Sequence, residues 1–365
     1  MISPIFYTSL ANHSSIGYTQ TVKQFLLVPM PMQDQSLISF ISPEAITEQR
    51  TSYHPKTFAE YKGQSELKHK LTIYTKAAAL RQEPLDHLLI FGPPGLGKTT
   101  LAHIVAHEMS SNIIICSGPM MERSGDLVAL LSNLNPRDIL FIDEIHRMPM
   151  QVEEVLYNAM EHFRVDIIIG QGAGAKSVNL PLHPFTLIGA TTKSGMISAP
   201  LRSRFGIVER IDFYPENELQ EIIITAAEHL ACTIDNAAAL RVAQSSRGTP
   251  RIAKNILRRV RDIAQTSGET HISLEITEKT LTFLGIDIAG LCAIDRALLR
   301  AIAITYQGGP VGIETIAAMV GEDSATLETV YEPYLMRKGL LERTSRGRKI
   351  PETAHNYLRS ILDLV

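Results

Sequence analysis

HLLIFGPPGLGKTTLAHIVAHEM, residues 87–109, decides the fold by the order of its residue types. Leu88 to Phe91 form a short apolar run of strand type, Gly92 to Thr99 match G-x-x-x-x-G-K-[ST], and an apolar segment of helical period follows. Strand, glycine loop and helix in that order are the context of a phosphate-binding loop. The glycines let backbone N–H groups turn inward on phosphate, and the new helix adds its positive end. Lys98 is expected to reach the β- and γ-phosphates and Thr99 to place its hydroxyl on Mg²⁺.

Farther along, DILFIDEIHRM, residues 138–148, is an apolar strand ending in two carboxylates. Its continuous run suits a buried parallel strand. Asp143 at the strand end suits the magnesium water shell, and Glu144 suits polarisation of an attacking water. A third run, FTLIGATT, residues 185–192, ends in Thr191 and Thr192. Strands of a parallel sheet end at one edge, so either hydroxyl is a candidate for orienting that water. Arginines follow in PLRSRFG, residues 200–206, and SRGTPRIAKNILRRVRD, residues 246–262. A planar, permanently charged guanidinium suits charge developing on the γ-phosphate, which makes Arg202, Arg204 and Arg251 candidates. Together these segments describe a nucleoside triphosphatase.

At 365 residues the chain is long for one core, which favours two or three units. Cys116, Cys232 and Cys292 are too scattered for a disulfide framework or a CxxC metal site, and suit a reducing cytosol. Apolar runs fall short of the ~20 residues of a membrane helix, so no membrane span is expected. Residues 1–36 are expected to form an N-terminal extension, polar over its first 31 residues and without the pattern of a targeting peptide. Met32 is a candidate start.

Beyond Thr282 the pattern changes. AIDRALLRAIAITY, residues 293–306, has helical apolar spacing; IETIAAMVG begins a second helix that Gly321 ends, and Asp323 or Ser324 can cap a third running to Arg337. LERTSRGRKI, residues 341–350, then supplies two short strands around a tip at Ser345 to Gly347. Three helices and a hairpin give the order of a winged helix. Cations and acids balance from Leu291 onward, so the crowding of Arg343, Arg346, Arg348 and Lys349 in the hairpin is local. Such a cluster fits a few contacts to a nucleic-acid backbone.

GPPGLGKTTLA, FIDEIHR, FTLIGATT, APLRSRFG, RGTPRIA, GGPVGIETIA and YEPYLMRKGLLERTSRGR together resemble the RuvB family of AAA+ motors, which drive branch migration of Holliday junctions. The resemblance runs from about Leu37 to the C-terminus. It implies an α/β chain with a parallel-sheet ATPase core at 37–213, a small helical lid at 214–284 and a winged helix at 285–365. It implies ATP and Mg²⁺ held by Gly95, Leu96, Gly97, Lys98, Thr99 and Thr100, with Asp143 and Glu144 as the metal and water pair. Thr192 matches the first sensor, Arg251 the second, and Arg204 an arginine finger that enters the neighbouring subunit's site. Tyr53, His54, Glu161, His162, Phe163 and Tyr214 match residues near the nucleotide. Arg343 and Arg348 match DNA contacts, with Arg346 and Lys349 as helpers.

The resemblance further implies a cytoplasmic homohexamer on double-stranded DNA, RuvA docked on a hairpin at 165–182, and RuvC in a resolvasome. The chain departs from the family pattern at Tyr53-His54-Pro55, where Leu-Arg-Pro is usual, and at Lys62, where Ile is usual. Both segments line the family's adenine pocket. Lys193 and Ser203 stand where Arg and Asp are usual. A clamp-loader-like ATP switch tethered to DNA is the rival reading, since the phosphate loop and the Asp-Glu pair fit both.

Overall fold

The computed structural model describes residues 54–169, 176–354 and Leu358. The expected extension at 1–36 and Tyr53 lie outside the described residues. Five strands, β1 (Leu88–Phe91), β2 (Ile113–Ser117), β3 (Ile139–Asp143), β6 (Thr186–Thr191) and β7 (Ile207–Arg210), form one parallel sheet in the order β2-β3-β6-β1-β7. Between β3 and β6 the chain makes a separate antiparallel pair, β4 (Arg164–Ile169) and β5 (Lys176–Pro181). The tip of this hairpin is outside the described residues.

Strand residues alternate between faces. Ile139 and Phe141 therefore join Leu88, Ile90 and Ile188 in one apolar cluster, while Leu140 and Ile142 join Leu89 and Leu187 in another. Helices α1 (Ser65–Arg81) and α2 (Lys98–Glu108) cover the first face; α3 (Ser124–Ser132) and α4 (Met150–His162) cover the second. A sheet covered on both faces explains why its strands read as unbroken apolar runs. The short α5 (Ala199–Arg202) precedes β7.

The lid is built from α6 (Glu216–His229), α7 (Asn236–Ser245), α8 (Pro250–Thr266) and α9 (Leu274–Phe283), with a two-residue parallel pair, β8 (Thr233–Ile234) and β9 (His271–Ile272). Its core is continuous with the α2 face of the sheet: Leu219, Val242, Leu257 and Leu281 belong to the same cluster as Leu101 and Val105. Gln64 grips the junction between core and lid at both backbone groups of Asp212, donating from Nε2 to its carbonyl at 2.6 Å and accepting from its N–H at 3.4 Å.

A third cluster, including Leu298, Ile302, Ile316, Leu335 and Leu341, forms the core of the C-terminal unit. Its helices are α10 (Ala293–Arg300), α11 (Ile313–Val320) and a third helical run from Ser324 to Arg337 that has a π-helical middle at Leu327–Tyr331. Gly321 ends α11 with φ 74°, and Asp323 caps the next helix by accepting the Thr326 N–H at 3.0 Å. The hairpin of β10 (Glu342–Thr344) and β11 (Gly347–Lys349) follows as the wing. Arg247 of the lid pairs with the fully buried Asp295, and Arg337 lies 4.1 Å above the ring of Phe213, the residue before the lid, fastening this unit to the lid and to its junction with the core. Burial pushes the Asp295 carboxyl up, and Arg247 opposes that rise. Among the described residues no helix is long and apolar enough to cross a membrane.

Candidate functional site

The loop after β1 lies at the C-terminal edge of the sheet, beside the ends of β3 and β6, where open α/β sheets bind ligands. Gly92 starts it with φ 153°, and a Cβ there would come 2.3 Å from the Ile211 carbonyl, so only glycine fits. Lys98 begins α2 and is nearly buried; its Nζ donates to the carbonyls of Gly92 and Pro93, each at 3.0 Å. A cavity of about 1170 Å³ opens above the loop, between core and lid. Gly95, Gly97, Lys98, Thr99, Thr100, Asp143, Glu144, Thr192 and His54 line it from the core, and Arg251 lines it from the lid.

Burial pushes the Lys98 ammonium down from its ordinary value, with Asp143 and Glu144 opposing the fall. Burial likewise pushes Asp143 up, against the lowering effect of the Glu144 N–H, which donates to its Oδ1 at 2.9 Å. Each charged form therefore lacks full compensation within the chain. An anion beside Lys98 and a cation beside Asp143 would each restore it, so the donor set fits a nucleotide phosphate with a divalent ion.

Glu144 sits in the left-handed region at φ 46°, which is strained for a residue bearing a Cβ and is often found where function demands it. Gly118, just beyond β2, makes room for this turn: a Cβ on it would come 2.5 Å from the Glu144 carbonyl. The Glu144 carboxylate accepts the Thr192 hydroxyl at 3.0 Å and the Thr192 N–H at 3.4 Å, while His146 Nδ1 lies 3.1 Å from Oε2. The two strand-end threonines thereby separate. Thr192 faces the cavity and Glu144, whereas the fully buried Thr191 hydroxyl faces His146 Nδ1 at 2.9 Å and accepts the Lys193 N–H at 3.0 Å. Burial pushes the His146 imidazole down from its ordinary value, and the neighbouring Glu144 carboxylate opposes that fall. His146 and Gly118 escaped the sequence reading, as no motif spacing marks them.

Other expected residues fall in three places. His54 Nδ1 lies 3.3 Å from the Thr100 hydroxyl, and Lys62 stands near Glu221 at 3.9 Å. Leu96 and Tyr214 are buried behind the loop: the Tyr214 hydroxyl lies 2.7 Å from that of Tyr61 and donates to the Leu96 carbonyl at 3.5 Å. Burial pushes the Tyr61 phenol up to about 12, so this pair stays neutral. Arg251 touches the loop through its backbone N–H, 3.3 Å from the Gly95 carbonyl.

Arg204, Glu161, His162 and Phe163 do not line their own chain's cavity. Arg204 Nε is 3.2 Å from Glu161 Oε1, and Phe163 packs against the rings of Phe185 and His87 at 5.9 and 6.4 Å. Arg202 is exposed at the end of α5.

The wing differs from the sequence expectation at Arg348. Its side chain turns inward: Nε donates to Glu332 Oε1 at 2.6 Å and Nη2 to Glu328 Oε1 at 2.8 Å, and Glu332 is fully buried. Arg343, opposite Arg348 across the hairpin, reaches the same pair, donating to Glu332 Oε2 at 2.5 Å. Lys349 pairs with Glu342 at 3.0 Å. Among the described residues Arg346, exposed at the tip, is the wing cation without an acidic partner. Arg348→Ala leaves the buried Glu332 short of one cation and is expected to destabilise this unit by about 3 kcal/mol, read as a lower midpoint in urea unfolding.

A helical lid over the loop end of a β2-β3-β6-β1-β7 sheet, with carboxylates supplied from the strand next but one to the loop, is the AAA+ form of the P-loop ATPase. The model for the Holliday junction DNA helicase RuvB P-loop domain matches residues 53–211, that for the RuvB AAA lid domain residues 214–287, and that for the RuvB C-terminal winged helix domain residues 288–359. The chain belongs to the RuvB family.

Its relatives include the Holliday junction branch migration complex subunit RuvB of Lactococcus lactis subsp. cremoris (strain SK11), 52% identical over 84% of this chain and 92% of the relative. The protein of that description from Staphylococcus haemolyticus (strain JCSC1435) is 50% identical over 87% of this chain and 97% of its own. Among solved structures, the Thermotoga maritima RuvB Holliday junction branch migration motor superposes with a TM-score of 0.75 at 47% identity, covering 84% of this chain and 98% of that one. A mutant of the Thermotoga maritima protein gives 0.77 at the same identity.

Proposed function

We propose that the chain is an ATP-driven DNA motor that promotes branch migration of Holliday junctions in recombination and repair, working as a cytoplasmic homohexameric ring. The observation that carries the ring is the position of Arg204: the cavity holds Lys98, Asp143, Glu144, Thr192 and Arg251, while Arg204 stands outside it. A site lacking its finger is completed by the finger of a neighbouring copy, and a closed ring gives every copy a neighbour. Thr99 and Asp143 would hold Mg²⁺, which when bound supplies charge neutralisation at the β- and γ-phosphates. Lys98 and the N–H groups of Gly95 to Thr100 bind the phosphates, Glu144 draws the proton from the attacking water, and Thr192 orients Glu144. Arg251 moves with the lid and reports the γ-phosphate to it. We place the unit boundaries at 213/214 and 284/285.

The hairpin at 165–182 is the proposed docking site for RuvA, and RuvC would join on the same junction. The winged helix holds duplex DNA through its backbone, which suits a motor that must move along any sequence. Arg346 is the first contact and Arg343 the second. Arg346→Ala is expected to flatten the slope of log affinity against log salt by about 0.9 for one lost phosphate contact, with unfolding unchanged. A change in sequence preference would contradict this. The ring itself is tested by specific ATPase activity against protein concentration with the assembly mass measured alongside. Activity should rise steeply as rings form; constant activity from a monomer would overturn the in-trans reading.

A further inference from the structure

Helix α4 carries Glu153, Tyr157 and Glu161 at i, i+4 and i+8, which places them on one face. That face supports the segment from Ser198 to Arg204. Tyr157 donates its hydroxyl to Glu153 Oε1 at 2.5 Å and lies 3.0 Å from Ser198 Oγ. Ser198 donates to the same Glu153 oxygen. Ser198 is also the cap of α5, its Oγ accepting the Leu201 N–H at 3.2 Å. Beyond α5, Arg204 donates to the Pro200 carbonyl at 2.7 Å, and its guanidinium carbon lies 4.5 Å above the Tyr157 ring.

Glu153 is 8% exposed and forms no ion pair among the described residues. Burying a carboxylate without a cation is costly, and packing alone does not call for one. One of its two partners, Tyr157, lies beneath the guanidinium, and the other, Ser198, caps the helix whose Pro200 carbonyl accepts from Arg204.

We propose that Glu153 is a positioning residue for Arg204: through Ser198 it fixes the start of α5, and through Tyr157 it fixes the ring on which the guanidinium rests. One subunit thus sets the aim of the arginine it offers to the next. This rests on the reading of Arg204 as a finger acting in trans. Misplacing a reacting group by about 1 Å costs roughly 10²-fold in rate. Loss of the carboxylate therefore lowers turnover in the neighbour's site and leaves nucleotide affinity in its own.

The test uses the full chain with Glu153→Gln, and with Tyr157→Phe and Ser198→Ala in case the first variant does not fold. ATP turnover and binding of a fluorescent ATP analogue are measured for each variant alone and in equal mixtures. The expected result is a kcat reduced about 10- to 100-fold, with KM and analogue affinity within about twofold. Mixing with Glu144→Gln subunits, which keep the finger, should restore turnover; mixing with Arg204→Ala subunits should not. Unchanged kcat, loss of affinity in step with turnover, or equal recovery with either partner would overturn the proposal. The control mixture of Arg204→Ala with Glu144→Gln distinguishes the two readings: no recovery there overturns the in-trans finger and this proposal with it, whereas recovery there alongside an unchanged Glu153→Gln overturns only this one.

Discussion

Arg204→Ala should lower ATP turnover about 10³-fold, the low end for a finger arginine, while nucleotide binding stays within about twofold. The asymmetry follows from geometry. Arg204 contributes nothing to the cavity of its own chain, so removing it leaves Lys98, Thr99, Thr100 and Arg251 in place for binding. On the proposed in-trans reading, what is lost is a permanent positive charge at the γ-phosphate of another copy, and that charge matters most where negative charge develops. Turnover and equilibrium binding measured on one preparation check it. A parallel loss of affinity would place Arg204 in its own site.

Lys98→Ala should remove turnover by roughly 10³-fold or more, through loss of the charge on the β- and γ-phosphates. Here binding should weaken too, because Lys98 is buried in the loop and lines the cavity directly. The variant should fold: among the described residues Lys98 forms no ion pair, and its Nζ meets only the Gly92 and Pro93 carbonyls. Turnover at the parental rate would sink the assignment of the loop as the catalytic phosphate cradle.

Much of this site was legible because its residues follow strands. A phosphate loop, an Asp-Glu pair and a threonine pair each end an apolar run, and parallel strands bring their C-terminal ends to one edge. The choice between Thr191 and Thr192 was not legible in the strand pattern, and only the family resemblance singled out Thr192. Thr191 is the last residue of β6 and Thr192 the next, and the alternation of the chain, which turns Thr191 to His146 and Thr192 to Glu144, separates them. Gly118 was equally silent, as its reason lies in the turn at Glu144 on another strand.

Nor did local charge reveal what the wing arginines do. LERTSRGRKI reads as a cluster of cations, yet Arg343 and Arg348 are cross-strand partners and so share one face of the hairpin. That face lies over Glu328 and Glu332, four residues apart on the preceding helix. Acid spacing on one element and strand register on another together decide the outcome, and neither is visible within ten residues of sequence. The gain is a distinction between Arg346, which can meet phosphate directly, and Arg348, which holds the wing against its helix.

Movement of a four-way junction is the most direct test of the central claim. A labelled synthetic junction, RuvA, ATP and Mg²⁺ are mixed with this chain, and junction dissociation and phosphate release are followed together. The expected result is dissociation into duplex products in step with ATP consumed, with neither seen for Lys98→Ala. Junction binding that responds to ATP, with no products and no junction-stimulated hydrolysis, would contradict a motor and leave a nucleotide switch on DNA.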